Sequence, residues 1–288
     1  AAGPGGGPHV KVFDGLSGNV IASFYAYDAN FRGGVNVAVG DLNGDGNNEL
    51  ITGAGAGGGP HVKAFALNFS DGLATPQEVA SFYAYDSSFR GGVSVAAGDV
   101  NGDGAFDIIT GAGAGGGPHV KAFGFVGEGG EGTPISASAS TAMSEMTALP
   151  PALGALQELA SFYAYDANFR GGVSVASGNI DGLGPDEIIT GAGAGGGPHV
   201  KAFSRATEGT LSTVSSFFAY DPLFRGGVEV GSMMSPSNLA VSRVLTGAGP
   251  GGGPHVRGFD LSNPLGQPSE VLSFYAESPA FRGGVAVS

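Results

Sequence analysis

Twice in the sequence an acidic loop sets oxygen-bearing side chains at alternate positions around a glycine. Asp41, Asn43, Asp45 and Glu49 stand at positions 1, 3, 5 and 9 of the first loop, and Asp99, Asn101, Asp103 and Asp107 at those of the second, with Gly46 and Gly104 at position 6. Calcium takes six to eight oxygens on a tightly curled backbone. Alternate short acids around a glycine bend supply them, with the backbone carbonyl of position 7, Asn47 or Ala105, as a further ligand. The last acid falls at position 9 rather than 12, which excludes the helix-loop-helix type of calcium site. Magnesium keeps its waters and suits such a cage less well, and without an ion the clustered acids would repel one another. A third copy, residues 179–187, keeps Asn179, Asp181 and Glu187 but has Leu183 at position 5, which predicts weak or no binding. Residues 232–244 lack the pattern, so packing alone must hold that copy together.

A second constellation is basic. Ten of the twelve Lys and Arg residues recur at two places: Lys11, Lys63, Lys121, Lys201 and Arg257 after Pro-His-Val, and Arg32, Arg90, Arg170, Arg225 and Arg282 in Phe-Arg-Gly-Gly. The five histidines, His9, His61, His119, His199 and His255, all lie in Gly-Gly-Gly-Pro-His-Val. Fixed positions imply fixed partners, and Asp28, Asp86, Asp166 and Asp221 are the nearest acids; the fifth copy has Ser278 there. The preferred reading is a structural Asp/Arg/His-Lys network between neighbouring repeats. The alternative is a repeated sugar or anion pocket with Tyr25, Tyr83, Tyr163 and Tyr275 as stacking faces.

Other chemistries find no support. With no cysteine there is no disulfide, thiol nucleophile or zinc-thiolate site. The glycine runs are followed by no Gly-Lys-Ser/Thr, so turn chemistry rather than a phosphate cradle explains them. Each histidine is alone in its repeat, which points to a hydrogen-bonded structural imidazole. No catalytic set is legible, and the chain is not expected to be an enzyme.

The elements that position these residues follow from the repeat. The histidines are 52, 58, 80 and 56 residues apart, a period that signals a propeller, solenoid or array. In the first period residues 5–13 alternate as a strand, with His9, Lys11 and Phe13 on one face and Val10 and Val12 on the other; residues 20–27 form a second, aromatic and β-branched strand. A break at residues 28–34, a short strand from Val35, the acidic loop, and Leu50-Ile51-Thr52 complete four strands without a helix. In the third copy the connector swells over residues 124–159, read as a surface insertion within one domain spanning 1–288, with a short helix expected at residues 140–149.

Four-strand repeats with Asp-x-Asn-x-Asp-Gly-x-x-Asp/Glu followed by Ile-Ile-Thr-Gly-Ala-Gly resemble the FG-GAP/VCBS repeats of integrin-α-type β-propellers. The resemblance implies an all-β propeller of four-stranded blades with calcium held by Asp41, Asn43, Asp45, Glu49, Asp99, Asn101, Asp103 and Asp107. Five repeats instead of the seven common in that family, and degraded later loops, are departures from it. The absence of tryptophan speaks against WD40 and kelch propellers.

Glycine and proline make up 56 and 17 of the 288 residues, a share that the period explains as turn chemistry rather than disorder. No apolar run approaches the ~18 residues of a membrane span, and a net charge of -13 repels nucleic acid, so neither membrane insertion nor a nucleic-acid partner is expected. The chain starts inside a repeat, as a trimmed mature protein or a fragment would. Residues 285–288 read as the first strand of a fifth blade whose third and fourth strands are residues 1–27, so that blade is incomplete and shared between the termini. Its open edge predicts self-association, or a protein or glycan partner. The expected function is an extracellular or cell-surface, calcium-stabilised propeller acting as a structural, adhesive or self-assembling module. A glycan-binding lectin is the alternative and a polysaccharide-active enzyme ranks third.

Overall fold

A computed structural model describes residues 1–126, 153–206, 208–236, 238–262 and 268–287, and among these every regular element is a β-strand. No helix among them is long and apolar enough to cross a membrane. The helix expected at residues 140–149 lies outside the described residues. The third-copy connector narrows, because residues 124–126 and 155–159 already belong to strands.

The chain begins with a two-stranded sheet, β1 (His9–Phe13) and β2 (Val20–Tyr25). Four four-stranded antiparallel sheets follow. The first blade is β3 (Val35–Gly40), β4 (Glu49–Ala54), β5 (His61–Ser70) and β6 (Leu73–Tyr83). The second is β7 (Val93–Gly98), β8 (Asp107–Ala112), β9 (His119–Val126) and β10 (Ala155–Tyr163). The third is β11 (Val173–Gly178), β12 (Glu187–Ala192), β13 (His199–Arg205) and β14 (Leu211–Phe218). The fourth is β15 (Val228–Ser235), β16 (Asn238–Ala248), β17 (His255–Asp260) and β18 (Ser269–Tyr275). Strands β3, β7, β11 and β15 pack side by side, so each blade opens with an inner strand and runs outward. Their first residues, Val35, Asn36, Val93, Ser94, Val173, Ser174 and Glu229 among them, line a cavity of about 280 Å³. This is a β-propeller of four full blades and one partial one.

The core lies between blades rather than within them. Ile109, Val120 and Ala122 of the second blade pack with Val175, Ile188 and Phe203 of the third, all buried, and the same sets recur at the neighbouring junctions. Each such side chain contributes about 1.5 to 3 kcal/mol by leaving water. A β-bulge in the third strand decides which residues reach this core. Strict alternation puts the phenylalanine five residues into that strand with His and Lys, but the register shifts at Ala64/Phe65 and at Ala202/Phe203 turn Phe65 and Phe203 inward, to 6% and 7% exposure.

One expectation about the termini changes: residues 285–287, read as a first strand, form no regular strand, since the two-stranded sheet has no counterpart of β4 for them to pair with. They still lie beside the fourth blade, where the Val285 N–H donates to the Ala248 carbonyl at 3.0 Å. The acidic loop missing from the fourth blade is replaced by direct pairing of β15 with β16, which supports the packing-only reading of residues 232–244.

Candidate functional site

Each acidic loop joins the inner strand of a blade to the next. Its second residue anchors it: Leu42, Val100 and Ile180 are fully buried. Positive φ values at Gly44 (71°), Gly46 (87°), Gly102 (80°) and Gly104 (91°) curl the backbone, so position 4 needs glycine as much as position 6 does. In the first loop Asp41 accepts the N–H groups of Gly44, Asp45 and Gly46 at 2.8, 3.1 and 2.8 Å. In the second, Asp99 accepts those of Gly102, Asp103 and Gly104 at 2.6, 3.2 and 3.0 Å. The ninth-position carboxylates point the other way, into the blade: Glu49, Asp107 and Glu187 accept the N–H of Leu42, Val100 and Ile180 at 2.9, 3.0 and 2.8 Å.

Those three carboxylates are buried, and burial together with neighbouring acids outweighs the groups that favour their charge, which for Asp107 include the Val100 N–H and Arg205. Burial, then the charges of Asp103 and Asp99, pushes Asp107 up to about 8 against the opposing Val100 N–H. Glu187 is raised to about 7 by burial and then by Asp181 and Asp186, and Glu49 is raised by burial and then by Asp45 and Asp41. The Glu187 Oε1 atom is buried without a hydrogen-bond partner. A cation would answer all of these features, and hard oxygen donors suit calcium. Among the described residues no three His, Asp or Glu side chains converge closely enough to hold a metal by themselves. Asn43, Asn101 and the carbonyls of Asn47 and Ala105 would have to complete the set. In the third loop Leu183 is 73% exposed where Asp45 and Asp103 stand in the others, so that loop offers fewer oxygens.

The loops also tie blades together, a role that side-chain chemistry alone does not reveal. The carbonyls of Asp41, Asp99 and Asn179 accept the N–H of Phe106, Asp186 and Ser242 in the next blade at 2.7, 2.7 and 2.6 Å. Asp186 returns the contact through its carboxylate to the Asp99 N–H at 3.2 Å.

The basic constellation is structural but wired differently from the expected network. Arg32 donates to the carbonyls of Ala29 and Phe31, and Arg90, Arg170, Arg225 and Arg282 likewise donate to carbonyls of their own turns, not to aspartates. Asp28, Asp86, Asp166 and Asp221 each accept the N–H two residues on, which closes a turn and occupies the carboxylate. The Asp–Arg pairing is therefore corrected: local backbone partners outcompete it. The cations of the Pro-His-Val strand pair with glutamates that composition did not single out, Lys63 with Glu78 and Lys121 with Glu158 at 2.7 Å and Arg257 with Glu270 at 3.0 Å.

The junctions are latched by tyrosines that the sequence reading passed over. Tyr27, Tyr85, Tyr165 and Tyr220 each reach into the next blade, where a threonine carbonyl and a histidine carbonyl share the one hydroxyl proton, those of Thr110 and His119 both lying 2.9 Å from the Tyr85 oxygen. Burial raises the pKa of all four phenols, so they act as neutral donors. Lys63, Lys121, Lys201 and Arg257 lie over those rings at 5.2 to 5.9 Å. The histidine Nε2 atoms of His9, His61, His119, His199 and His255 meet serine hydroxyls at 2.8 to 2.9 Å, and burial lowers the pKa of the last four. Tyr25, Tyr83, Tyr163 and Tyr275, each more than half exposed, stand in front of the imidazoles of His9, His61, His119 and His255 at 4.6 to 5.0 Å between ring centroids. Tyr83, Tyr85, Asp86, Phe89, His119 and Lys121 line a groove of about 380 Å³ between blades.

Inter-blade latches, an outward strand order and acidic loops at the inner turn define a β-propeller of repeated blades. The FG-GAP repeat model matches residues 33–65 and 91–132, so the chain carries FG-GAP repeats, each match spanning one acidic loop. No curated protein matches the chain. Among solved structures, Sqt1 of Chaetomium thermophilum bound to the N-terminus of the ribosomal protein L10 is similar at 16% identity and a TM-score of 0.45, over 96% of this chain and 59% of that one. The exotype rhamnogalacturonan lyase YesX is similar at 14% identity and a TM-score of 0.41, over 88% of this chain and 49% of that one. A rhamnogalacturonan lyase of Bacillus licheniformis is similar at 16% identity and a TM-score of 0.38, over 88% and 50%. The chain thus spans between about half and three-fifths of these proteins. The expectation that the chain is not an enzyme is withdrawn here, because lyases are among its structural neighbours; the likeness assigns it no reaction.

Proposed function

We propose that the chain is an extracellular or cell-surface propeller module in which calcium in the acidic loops of the first two blades, and more weakly in the third, staples adjacent blades into a rigid structural or adhesive platform. The observation that carries this reading is Asp107, a carboxylate 2% exposed beside Asp99 and Asp103 whose burial costs free energy unless a cation faces it. Calcium at that point would tie a loop already bonded to its neighbour. The test is calorimetric titration of chelator-treated protein with calcium, with magnesium as control. Binding at about two sites, in the ~10⁻⁴ to 10⁻³ M range typical of extracellular modules, supports the proposal. Absence of calcium-specific heat would refute it.

A glycan-binding role is the second reading, favoured by the exposed Tyr83 ring beside the groove between the first and second blades. Sugars stack on such faces. Array binding that Tyr83→Ala abolishes would support it, and an array without signal would end it.

A further inference from the structure

The tyrosine latch recurs at every internal junction, but the charge around it does not. A cation lies over each latch ring: Lys63, Lys121, Lys201 or Arg257. Three of these cations are answered from the fourth strand of their own blade, by the residue opposite the inward-turned phenylalanine. Glu78 stands opposite Phe65, Glu158 opposite Phe123 and Glu270 opposite Phe259, and these are the partners of Lys63, Lys121 and Arg257. Opposite Phe203 the third blade has Thr213 instead, and Lys201 meets no acid among the described residues. Its Nζ donates to the Ala164 carbonyl of the second blade at 3.0 Å and lies over the Tyr165 ring at 5.2 Å, the shortest of the four latch distances. That carbonyl takes one of the three N–H groups of the ammonium. The imidazoles register the same difference. Burial and an adjacent cation lower the pKa of His61, His119 and His255 while Glu78, Glu158 and Glu270 oppose them; at His199 burial and Lys201 act unopposed.

The surroundings of Lys201 select the kind of anion. Ala164 directly follows Tyr163, which is 55% exposed, so the ammonium is held one residue from a flat stacking face. Asp166 stands where Asp86 lines the groove between the first and second blades. It gives one carboxylate oxygen to the Asn168 N–H at 2.8 Å and, being exposed, keeps acceptor capacity for hydroxyl groups. An inorganic anion would gain nothing from the ring and would be repelled by Asp166. A sugar can stack on Tyr163, donate hydroxyls to Asp166 and set a carboxylate on Lys201. The net charge of -13 weighs against a polyanion, so the fitting ligand carries isolated carboxylates.

We propose that the groove between the second and third blades binds a uronic acid residue of a glycan, with Lys201 pairing with the carboxylate and Tyr163 stacking on the sugar ring. The proposal rests on the glycan reading above and narrows it, since the cations of the other three internal junctions are already paired with glutamates. It uses no residue of the acidic loops, so calcium binding stands or falls separately.

The test is calorimetric titration with a hyaluronan tetrasaccharide and a glucuronoxylan oligosaccharide, each beside its carboxyl-reduced form. At least one acidic oligosaccharide should bind at one site, about tenfold or more tightly than its reduced counterpart. Thr213→Glu installs, at an exposed position, the residue found in three sister blades. It should weaken acidic binding by about tenfold and leave binding of the reduced form unchanged. Glu158→Thr should release Lys121 and add a second acidic site. Equal binding of acidic and reduced forms, or acidic binding indifferent to Thr213→Glu, would overturn the proposal and leave the glycan reading standing. Absence of binding by every form would overturn both.

Discussion

At the residue scale the account rests on groups placed where their chemistry is expensive to leave unanswered. The Tyr85 hydroxyl is buried between two carbonyls of the next blade, whereas the Tyr83 hydroxyl two residues earlier stands on an exposed ring. Removing the first leaves Thr110 and His119 carbonyls short of a donor inside the junction, a loss of about 1 to 3 kcal/mol. Tyr85→Phe should therefore destabilise by that amount and Tyr83→Phe by less than about 0.5 kcal/mol, as read from denaturant midpoints. Equal effects would mean that the latch is not what holds the blades. The arginines teach the same lesson in reverse. Arg32 and Asp28 are close in sequence and opposite in charge, yet each takes a nearer backbone partner.

At the scale of elements, the blade was legible because it is repeated. One copy of Ile-Ile-Thr-Gly-Ala-Gly is an ambiguous apolar run; its recurrence in the same frame as Pro-His-Val and Phe-Arg-Gly-Gly identifies strands and turns together. The acidic loops were legible as tight turns for a different reason, since short Asp and Asn side chains alternating with glycine accept nearby backbone N–H groups and curl the chain. Two features stayed hidden. The bulge that turns Phe65 inward breaks the alternation from which faces are read, and nothing in His-Val-Lys-Ala-Phe marks it. Tyr27 and its counterparts looked like continuations of an aromatic strand, although their constant place before aspartate in Ala-Tyr-Asp was a usable signal. The missing second strand beside residues 285–287, by contrast, was legible, because the repeat shows which strand each segment should be.

At the scale of the whole molecule, cores between blades make each blade depend on its neighbours. A staple at the loops then acts on the whole array rather than on one turn. The Asp41, Asp99 and Asn179 carbonyls already link successive blades through these loops, so an ion that rigidifies a loop strengthens the junction beside it. The most direct test of the calcium-stapled propeller is the thermal unfolding midpoint in calcium and in chelator, for the parent chain and for Asp107→Asn. Two sites at about ten times their Kd contribute ~3 kcal/mol, so calcium should raise the parent midpoint by roughly 5 to 10 °C. The substitution should stabilise near pH 7 in chelator, where it removes an acid that must take up a proton to be buried, and destabilise in calcium, where it removes a ligand. A midpoint indifferent to calcium, or an effect of Asp107→Asn with the same sign in both conditions, would contradict the account.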